Sequence, residues 1–447
     1  MLSAEENDMT ESPQHYAVIG AGPAGLAVAR NLDKRGIPFV GFEAGPTVGG
    51  LWNIDNPRST MYHSAHLISS KRMTEFREFP MDDRVADYPH HSEVFHYFRA
   101  YAERFGLRAR YEFETLVTAV APLDGKPNKG WQVTTRSLKN GDAARTRSFR
   151  GVIIAVGSLS EPNQPRFAGV FNGRLMHAAE YKRPDIFEDK RVLIVGAGNS
   201  GCDIVVDAVH RARFVGLSVR RGYHFVPKYI FGRPADTVGG RIKLPFPLKQ
   251  RIDKLLLGCF TGNPRRFGFP RPDHDLYESH PIVNSLVLHH LGHGDITLFK
   301  DVARLDGDAV VFRDGTRRDF DLVLTATGYK LHFPFIDRRH LNWRGAAPHF
   351  YLNAFHPVYD NLFLAGMVEA AGLGWEGRNE QAELIARYIE GTEKNAPKAL
   401  AFRKLKSGPF PDMRGGVDYI KLDRMAYYVH KDTYRAAVRR HIHELRP

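Results

Sequence analysis

The sequence contains little cysteine. Only two cysteines, Cys202 and Cys259, occur among its 447 residues, and two thiols are too few for the disulfide framework of a small secreted protein. They do not have the CxxC spacing of a redox pair and do not belong to a zinc-ligand array. The sequence therefore argues against a disulfide-stabilised fold and against dithiol chemistry, and it favours a reducing compartment.

Long apolar runs are also missing. A membrane-spanning helix needs roughly 18 or more consecutive apolar residues, whereas the apolar segments here are short, such as Gly151–Gly157. The first residues, Met1–Gln14, are polar and acidic, without the basic region and apolar stretch of a signal peptide. We therefore expect a cytoplasmic protein without a transmembrane segment.

Acidic residues are fewer than basic ones. The chain has 63 Lys and Arg against 50 Asp and Glu, a net charge of +13 with histidine neutral. Such a surplus favours nucleic acid, acidic lipid or phosphate-bearing ligands as partners. The composition is otherwise that of a globular protein, with 43% hydrophobic and 25% charged residues, which excludes wholesale disorder. At about 150 residues per domain, the length fits two or three domains.

A glycine-rich turn follows the first apolar run. The run Tyr16–Ile19 leads into Gly20–Gly25, which has the spacing GxGxxG, and the next apolar run, Ile37–Phe42, ends in Glu43. In such a dinucleotide fingerprint the glycines allow a tight turn, a close approach to a pyrophosphate and close helix packing. The carboxylate accepts hydrogen bonds from ribose hydroxyls. The expected ligands here are Gly20, Gly22, Gly25 and Glu43.

The same pattern recurs in the middle of the chain. The run Arg191–Val195 leads into Gly196–Gly201, and a further run, Phe214–Val219, ends in Arg220 and Arg221 instead of an acidic residue. A guanidinium group suits a 2′-phosphate, which a carboxylate would repel. The first site therefore predicts FAD, and the second predicts NADPH in preference to NADH. Together they imply hydride transfer from nicotinamide to flavin.

Four segments resemble those of a known family. The stretch Phe171–Tyr181 has the form FxGxxxHxxxY, and this motif resembles the signature of the flavin-containing monooxygenases. Gly49–Asn53 resembles that family's segment after the ribose-binding glutamate. Leu322–Tyr329 is similar to its linker between domains, and Asn361–Gly366 to its closing flavin-domain strand. The resemblance extends from about residue 16 to residue 390, the end of an amphipathic helix that the pattern predicts over Glu380–Glu390 and that Gly391 is expected to end.

The resemblance implies an architecture and a reaction. The fold is expected to be α/β, with two nested Rossmann-type dinucleotide-binding domains, the FAD domain discontinuous and the NADPH domain inserted into it. The implied reaction is an FAD- and NADPH-dependent monooxygenation, in which a C4a-hydroperoxyflavin passes one oxygen atom to an amine nitrogen or a sulfide. The expected partners are this small-molecule substrate and O₂, not nucleic acid, and a homo-oligomer stays an open alternative.

The expected boundaries follow from these segments. Residues 1–165 form the first part of the FAD-binding domain, residues 166–328 the NADPH-binding domain, and residues 329–447 the second part of the FAD-binding domain. Within them we expect an insertion at about 222–295, called here the insertion, and a basic C-terminal extension at about 398–447. The candidate cofactor-binding residues are Gly20, Gly22, Pro23, Ala24, Gly25, Glu43, Gly50, Leu51, Trp52, Val117, Gly196, Gly198, Asn199, Ser200, Gly201, Arg220, Arg221, Thr327 and Gly328.

The candidate catalytic residues rest on a departure from the family. Its better-known members have an asparagine near the flavin six residues after a tyrosine, and counting from Tyr62 places Ile68 at that position. Ser69 and Ser70 follow directly. A hydroxyl donates one hydrogen bond and could replace the amide, but a role at the start of a helix fits these serines equally well.

The histidine patterns do not indicate a catalytic base or a metal site. The motif residues Phe171, Gly173, His177 and Tyr181 carry the resemblance, and for His177 we favour a hydrogen-bonded place at a domain junction over a catalytic base. His289, His290 and His293 lie at helical spacing, but no acidic ligand or HExxH arrangement accompanies them in the pattern. We predict no metal.

Other activities remain open. A Baeyer–Villiger monooxygenase acting on ketones shares the architecture, and an NADPH-dependent flavin reductase or oxidase shares the cofactors. The missing CxxC argues against a disulfide reductase, and both intact fingerprints argue against a nucleic-acid-binding or membrane-binding protein with a degenerate nucleotide fold.

Two segments lie outside these motifs. In the insertion, the apolar and basic stretch Pro247–Cys259 fits a helix over the substrate entrance or on a membrane surface, although packing on the NADPH domain is the simpler account. The C-terminal extension has 12 Lys and Arg against 5 Asp and Glu over Lys398–Pro447. More than half of the positive surplus therefore lies there, in a segment that ends in a predicted basic helix, Thr433–Arg446.

Overall fold

The computed structural model describes residues 13–139, 141, 143–238 and 246–446. Most of the acidic segment Met1–Gln14 and residues 239–245 of the insertion therefore lie outside the described residues. The helices of the described part are α1 (Pro23–Asp33), α2 (Lys71–Thr74), α3 (His91–Arg104), α4 (Asn199–Val209), α5 (Phe246–Thr261), α6 (Leu286–His293), α7 (Gly374–Glu393), α8 (Pro397–Lys406) and α9 (Lys431–Glu444).

The strands of the same residues are β1 (Tyr16–Ile19), β2 (Phe39–Phe42), β3 (Tyr111–Glu112), β4 (Thr115–Pro122), β5 (Trp131–Ser137), β6 (Arg145–Phe149), β7 (Gly151–Ile154), β8 (Glu161–Pro162), β9 (Arg174–His177), β10 (Arg191–Val195), β11 (Phe214–Ser218), β12 (Tyr229–Ile230), β13 (Arg233–Pro234), β14 (Thr297–Phe299), β15 (Val302–Asp306), β16 (Ala309–Phe312), β17 (Arg317–Asp319), β18 (Leu322–Thr325), β19 (Tyr329–Lys330), β20 (Trp343–Arg344), β21 (Ala347–Pro348) and β22 (Leu362–Leu364).

Two parallel five-stranded sheets organise the molecule. The first sheet has the strand order β22-β7-β1-β2-β3 and the second has the order β14-β11-β10-β18-β9. The first sheet takes β1 from one end of the chain and β22 from the other, so the second sheet is built from residues inserted between its strands. The predicted fold class is confirmed: the chain is α/β, with two nested Rossmann-type domains. We call them the first domain and the second domain.

Both sheets are buried on their two faces, as continuous apolar strands predict. Every residue of β1 and β7 is buried. In the first domain, α1, α3, α7 and α9 pack on one face of the sheet, and the antiparallel strands β4, β5 and β6 contribute to the core on the other face. In the second domain, α4 and α6 contribute to the core on one face, and β15 and β16 pack on the other.

The two chain crossings between the domains pair with each other. Strand β8, on the outgoing crossing, and β19, on the returning one, form an antiparallel ribbon with Pro162 opposite Tyr329. The Asn163 N–H donates to the Gly328 carbonyl at 2.9 Å, and the Thr327 hydroxyl donates to the Asn163 carbonyl at 2.7 Å. Thr327 and Gly328 thus lie in a connection that joins the domains at one place.

Helix α7 is longer than its pattern indicates. The sequence predicts a helix over Glu380–Glu390 that Gly391 ends, but the helix begins at Gly374 and continues past Gly391 to Glu393. A Cβ atom at Gly391 would lie 2.7 Å from the Ala399 Cβ of α8. The prediction that Gly391 ends the helix is therefore wrong, because this glycine allows two helices to pack closely.

The C-terminal extension is part of the core of the first domain. Tyr434, Val438 and Ile442 of α9 are buried against the helices of that domain. Its middle part also reaches the insertion, because the Arg424 guanidinium donates to the Ser279 hydroxyl at 3.1 Å. The basic helix at the end of the chain is therefore a packed element. Among the described residues, no helix is both long enough and apolar enough to cross a membrane.

Candidate functional site

The first glycine turn has the close contacts that a dinucleotide fingerprint requires. Gly20 has φ +105°, and a Cβ atom there would lie 2.6 Å from the carbonyl oxygen of Ala155, the residue that follows β7. A Cβ at Gly25 would lie 1.9 Å from the Gly20 carbonyl oxygen, so only glycine lets α1 pack this closely on the turn. Gly22 caps α1 without a side-chain hydrogen bond, and Pro23 follows at the first helical position. The helix N-terminus is thus directed at the turn, where a phosphate would bind.

Glu43 is buried beside this turn. One carboxylate oxygen accepts from the Ala21 N–H and the other from the Gly45 N–H, both at 2.7 Å. Burial raises the pKa of Glu43, and these two backbone donors oppose the shift. Each oxygen keeps a further lone pair, so the side chain can still accept hydrogen bonds from two ribose hydroxyls.

A second pair of glycines completes the turn. Gly49 and Gly50 both have positive φ angles, and a Cβ at Gly50 would lie 3.0 Å from the Gly22 Cα. The Thr47 hydroxyl nearby in the chain is buried and has no hydrogen-bond partner among the residues that the structure describes. A bare backbone cradle, a helix N-terminus, a buried carboxylate and an unpartnered hydroxyl fit a dinucleotide with a pyrophosphate and a ribose. The residues of this site therefore fit FAD.

The other candidate residues of the first domain have different surroundings. Trp52 makes an edge-on contact with Trp375 of α7, with ring centroids 6.2 Å apart. Leu51 accepts at its carbonyl from the Ser59 hydroxyl. Val117 lies in β4 and is buried in the core between β4 and the first sheet. Its side chain packs in that core, so only its backbone remains to contact a cofactor.

The second glycine turn repeats the geometry of the first. Gly196 has φ +106°, and its Cβ would lie 2.7 Å from the Ala326 carbonyl oxygen. A Cβ at Gly201 would lie 2.0 Å from the Gly196 carbonyl oxygen, whereas Gly198 has open space around it. The Asn199 side chain donates to the Pro281 carbonyl and accepts from the Val283 N–H. This candidate ligand therefore holds the insertion with its side chain and offers only its backbone to a phosphate.

The two arginines that follow β11 of the second domain differ in their exposure and in their contacts. Arg220 is exposed, whereas Arg221 forms an ion pair with Asp273 of the insertion, with 2.5 Å between Nη2 and Oδ2. Partial burial would raise the pKa of Asp273, but hydrogen bonds from Arg221 and His274 outweigh it and lower the pKa to about 2. The sequence pattern did not indicate Asp273, which lies far along the chain from the arginines.

His177 lies at the junction between the domains. Its Nδ1 accepts from the Ala179 N–H at 3.1 Å, and its backbone N–H donates to Glu180 at 2.9 Å. Its ring meets the Tyr329 ring edge-on at 5.4 Å between centroids. Burial lowers the pKa of His177, opposed by a hydrogen bond to the Gly328 backbone and by Glu180. These contacts fit the junction role better than that of a base.

The helix α4 connects the two domains through two aspartates. Tyr62 of the first domain donates to Asp203 at 2.8 Å, and Ser64 of the first domain donates to Asp207 at 2.5 Å. Asp207 also accepts from Tyr181, the last residue of the family motif, at 2.7 Å. Burial raises the pKa of Asp203, opposed by its hydrogen bonds from Tyr62 and Asn284. The sequence pattern did not indicate either aspartate, although they lie only two and six residues after the last glycine of the second turn.

Ser69 and Ser70 differ in their hydrogen bonds. The Ser69 hydroxyl shares a hydrogen bond of 2.7 Å with the Thr74 hydroxyl. Ser70 is 1% exposed, and its hydroxyl is buried without a partner in the described part of the chain. It precedes α2 but forms no side-chain cap, so the expected alternative role at a helix start does not apply to its hydroxyl. Its N–H donates to Asp236 of the insertion at 2.7 Å, so the insertion contacts both domains.

The three histidines of α6 have an acidic neighbour that their spacing did not include. The His290 Nδ1 lies 2.8 Å from Asp295, and the ring centroids of His289 and His293 lie 4.0 Å apart with the ring planes tilted by 53°. Even so, in the part of the chain that the structure describes, no group of three or more His, Cys, Asp or Glu residues is arranged to hold a metal ion.

Comparisons with known proteins agree with this site. Residues 13–407 match the family described as flavin-binding monooxygenase-like. The rabbit (Oryctolagus cuniculus) flavin-containing monooxygenase 5 is 32% identical over 351 residues, a match that covers 72% of this chain and 63% of the relative. The chain thus spans less than two thirds of the length of that relative.

Solved structures share the architecture. The S-allyl-L-cysteine S-oxygenase from Allium sativum is 21% identical, with a TM-score of 0.65 and coverage of 96% of this chain and 88% of that one. An open crystal structure of cyclohexanone monooxygenase is 19% identical, with a TM-score of 0.70 and coverage of 95% and 97%. At these identities the likeness establishes a common fold.

Proposed function

The chain belongs to the flavin-binding monooxygenase-like family, and from this premise we propose that it is an FAD- and NADPH-dependent monooxygenase. Its substrate would be a soft nucleophile, an amine nitrogen or a sulfide, that receives one oxygen atom of O₂. One observation carries the proposal: two glycine turns of the same geometry end in opposite charges. Glu43 stands at the ribose position of the first, and Arg220 and Arg221 stand at that of the second.

The first site would hold FAD. The glycines of Gly20–Gly25 and Gly49–Gly50 would receive the pyrophosphate, and Glu43 would accept the ribose hydroxyls. When bound there, FAD would supply the redox chemistry, hydride acceptance and activation of O₂, that the side chains of the protein cannot supply. The chain itself binds and orients the two nucleotides and keeps water from the space between them.

The second site would hold NADPH. The N-terminus of α4 and the turn Gly196–Gly201 would bind the pyrophosphate, and Arg220 would bind the 2′-phosphate. The paired contacts of α4 with Tyr62 and Ser64 support this arrangement, because they hold the second glycine turn against the first domain. A fixed distance between the turns suits transfer between two bound nucleotides.

Ser70 is the stronger of the two catalytic candidates. Its buried hydroxyl lacks a partner among the described residues, and a buried hydroxyl without a partner costs about 1–3 kcal/mol unless a ligand satisfies it. This cost supports a contact between Ser70 and a bound cofactor. Ser69 already has a partner in Thr74, so its proposed role is weaker.

The proposed cytoplasmic location rests on the two cysteines. Cys202 is buried, Cys259 is exposed, and neither forms a disulfide. An exposed free thiol suits a reducing compartment.

The experiment that tests the function starts from purified protein. We expect a yellow protein whose flavin absorbance bleaches on addition of NADPH under argon. Aerobic incubation with amines, sulfides and ketones should then give N-oxides or S-oxides, with one product formed for each NADPH consumed. A colourless protein that FAD cannot reconstitute would refute the proposal. Esters formed from ketones would assign Baeyer–Villiger chemistry, and NADPH consumption without any oxygenated product would assign a reductase or oxidase.

A further inference from the structure

An acidic residue of the insertion lies beside the proposed 2′-phosphate site. Asp273 is in contact with Arg221, one of the two arginines that replace an acidic residue at the ribose position. The Arg221 side chain is 21% exposed and that of Asp273 is 52% exposed. Among the described residues Arg220 has no ion-pair partner. The ribose position therefore offers one unpaired guanidinium, one paired guanidinium and one carboxylate.

The carboxylate is held in place by the backbone around it. A Cβ atom at Gly222 would lie 2.3 Å from the Pro270 carbonyl oxygen and 2.4 Å from the Pro272 nitrogen. The segment before Asp273 therefore lies directly against the chain that follows Arg221. The second oxygen of Asp273 lies 2.9 Å from the His274 Nδ1, and the His274 carbonyl lies 3.0 Å from the His224 Nε2. Asp273 is thus a fixed part of the site.

A carboxylate at this place has two opposite effects on a coenzyme. It repels a 2′-phosphate, which carries about −1.5 to −2 charges, and it withdraws Arg221 from that phosphate. It also accepts a hydrogen bond from an unphosphorylated ribose 2′-hydroxyl, which is how sites that select NADH read the ribose. The free lone pairs of a half-exposed carboxylate remain available for that bond.

We propose that Asp273 determines coenzyme selectivity at the second site, and that through it the protein accepts NADH as well as NADPH. Arg220 binds the 2′-phosphate of NADPH, and Asp273 binds the 2′-hydroxyl of NADH. The inference rests on the proposed function only in that the second site binds a nicotinamide coenzyme. Arg220 and Arg221 alone would give a strong preference for NADPH, and Asp273 lowers that preference.

The test compares two nucleotides that differ in the 2′-phosphate. Isothermal titration of the FAD-loaded protein with 2′,5′-ADP and with 5′-ADP gives the two dissociation constants without catalysis. In Asp273→Asn we expect 2′,5′-ADP to bind about tenfold more tightly and 5′-ADP to bind several-fold more weakly. Asp273→Glu keeps the carboxylate and should stay close to the wild type. The matched control is Asp275→Asn, which removes a similarly exposed aspartate that pairs with Lys254.

Stopped-flow reduction of the flavin under argon supplies the second readout. We expect both NADPH and NADH to reduce the flavin of the wild type. For Asp273→Asn, flavin reduction by NADH should require a much higher NADH concentration than in the wild type. Two results are distinguishable failures. If the wild type prefers 2′,5′-ADP and Asp273→Asn has the same preference, the inference about Asp273 is wrong and the proposed NADPH site stands. If neither nucleotide binds to the FAD-loaded wild type, the second site is not a coenzyme site and the proposed function fails with it.

Discussion

Single residues of the first site have several tasks at once. The Glu43 carboxylate accepts hydrogen bonds from two backbone N–H groups, one in the glycine turn and one in the loop after β2. It therefore shapes the site before any ribose is bound. Gly20 and Gly25 likewise have more than one effect, because the absence of their side chains allows both the tight turn and the close packing of α1 on it.

Glu43→Gln should weaken FAD binding by tenfold or more. The glutamine side chain is uncharged and has one acceptor oxygen in place of two, so a ribose hydroxyl would lose its charged acceptor; losing such a hydrogen bond costs about 1.5–3 kcal/mol, which is about one to two powers of ten in affinity. Fluorescence titration of the apoprotein with FAD measures this. The control is Glu112→Gln on the neighbouring strand β3, where the carboxylate pairs with Arg147. Equal affinity in the wild type and Glu43→Gln would contradict the ribose contact.

Local residue patterns predict only part of such a site. Both glycine turns could be predicted from their sequences, because the close contacts of Gly25 and Gly201 lie within their own turn and helix, and the turns themselves require a positive φ at Gly20 and Gly196. Asp273 and Asp236 could not be predicted, since nothing near them in sequence indicates that they contact Arg221 and Ser70. Such pairs depend on how the insertion packs across both domains.

At the scale of elements, the C-terminal helix stabilises the helix α7. Arg435 and Arg439 of α9 both donate to Glu380 of α7, whose side chain is 8% exposed. The adjacent Gln381 accepts from the Gly366 N–H at 2.8 Å and donates to Tyr434 of α9. Two of the basic residues of the C-terminal extension therefore neutralise a buried carboxylate. The sequence predicts the helix and its charge, but not this partner.

Removing both arginines should destabilise the protein strongly. In Arg435→Gln/Arg439→Gln the buried Glu380 carboxylate loses its charged partners, and breaking a buried ion pair in this way costs about 3–5 kcal/mol. Chemical unfolding in urea measures the loss. The matched control is Arg440→Gln on the same helix, whose exposed pair with Glu444 contributes at most about 1 kcal/mol. If the double variant and the control lost equal stability, the Glu380 contact would not hold α9 in place.

Helix α8 contacts a buried histidine, His356, which should make the free energy of unfolding depend on pH. The His356 Nδ1 accepts from the Tyr359 N–H at 2.8 Å, and the His356 carbonyl accepts from the buried Lys406 ammonium of α8 at 2.8 Å. Burial, and then the positive charge of Lys406, lower the pKa of His356 to about 3. Below an ordinary histidine pKa of about 6.5, the unfolded chain gains a proton at this residue that the folded chain does not.

The free energy of unfolding should therefore fall as the pH is lowered from 7 to 5.5. One such histidine contributes about 1 kcal/mol of this fall. His356→Asn keeps an acceptor for the turn and removes the titration, so its stability should depend less on pH by that amount, as urea unfolding at the two pH values would measure. His443→Asn, at an exposed position, serves as the control. An unchanged pH dependence in His356→Asn would contradict the lowered pKa.

At the scale of the molecule, the two domains meet along α4. Tyr62 and Ser64 come from the first domain and contact Asp203 and Asp207 of the second, while the crossing strands β8 and β19 join the domains at another place. Some of the chain's basic side chains have specific places: Arg221 pairs with Asp273 after β11, and Arg435 and Arg439 pack on Glu380. These places fit a coenzyme site and an internal ion pair better than a nucleic-acid-binding face.

Variants of the contact along α4 should lose similar stability but differ in how much of the NADPH consumed yields oxygenated product. Tyr62→Phe and Tyr181→Phe each remove one hydroxyl from an aspartate of α4 and should lose similar stability, about 1–3 kcal/mol. Tyr62 reaches Asp203 from the first domain, whereas Tyr181 reaches Asp207 within the second domain. Only Tyr62→Phe should admit water between the proposed nucleotide sites, so more of the NADPH consumed should yield hydrogen peroxide instead of oxygenated product. An oxygen electrode and a peroxide assay measure that ratio, and equal peroxide yields from the two variants would show that this contact does not exclude water.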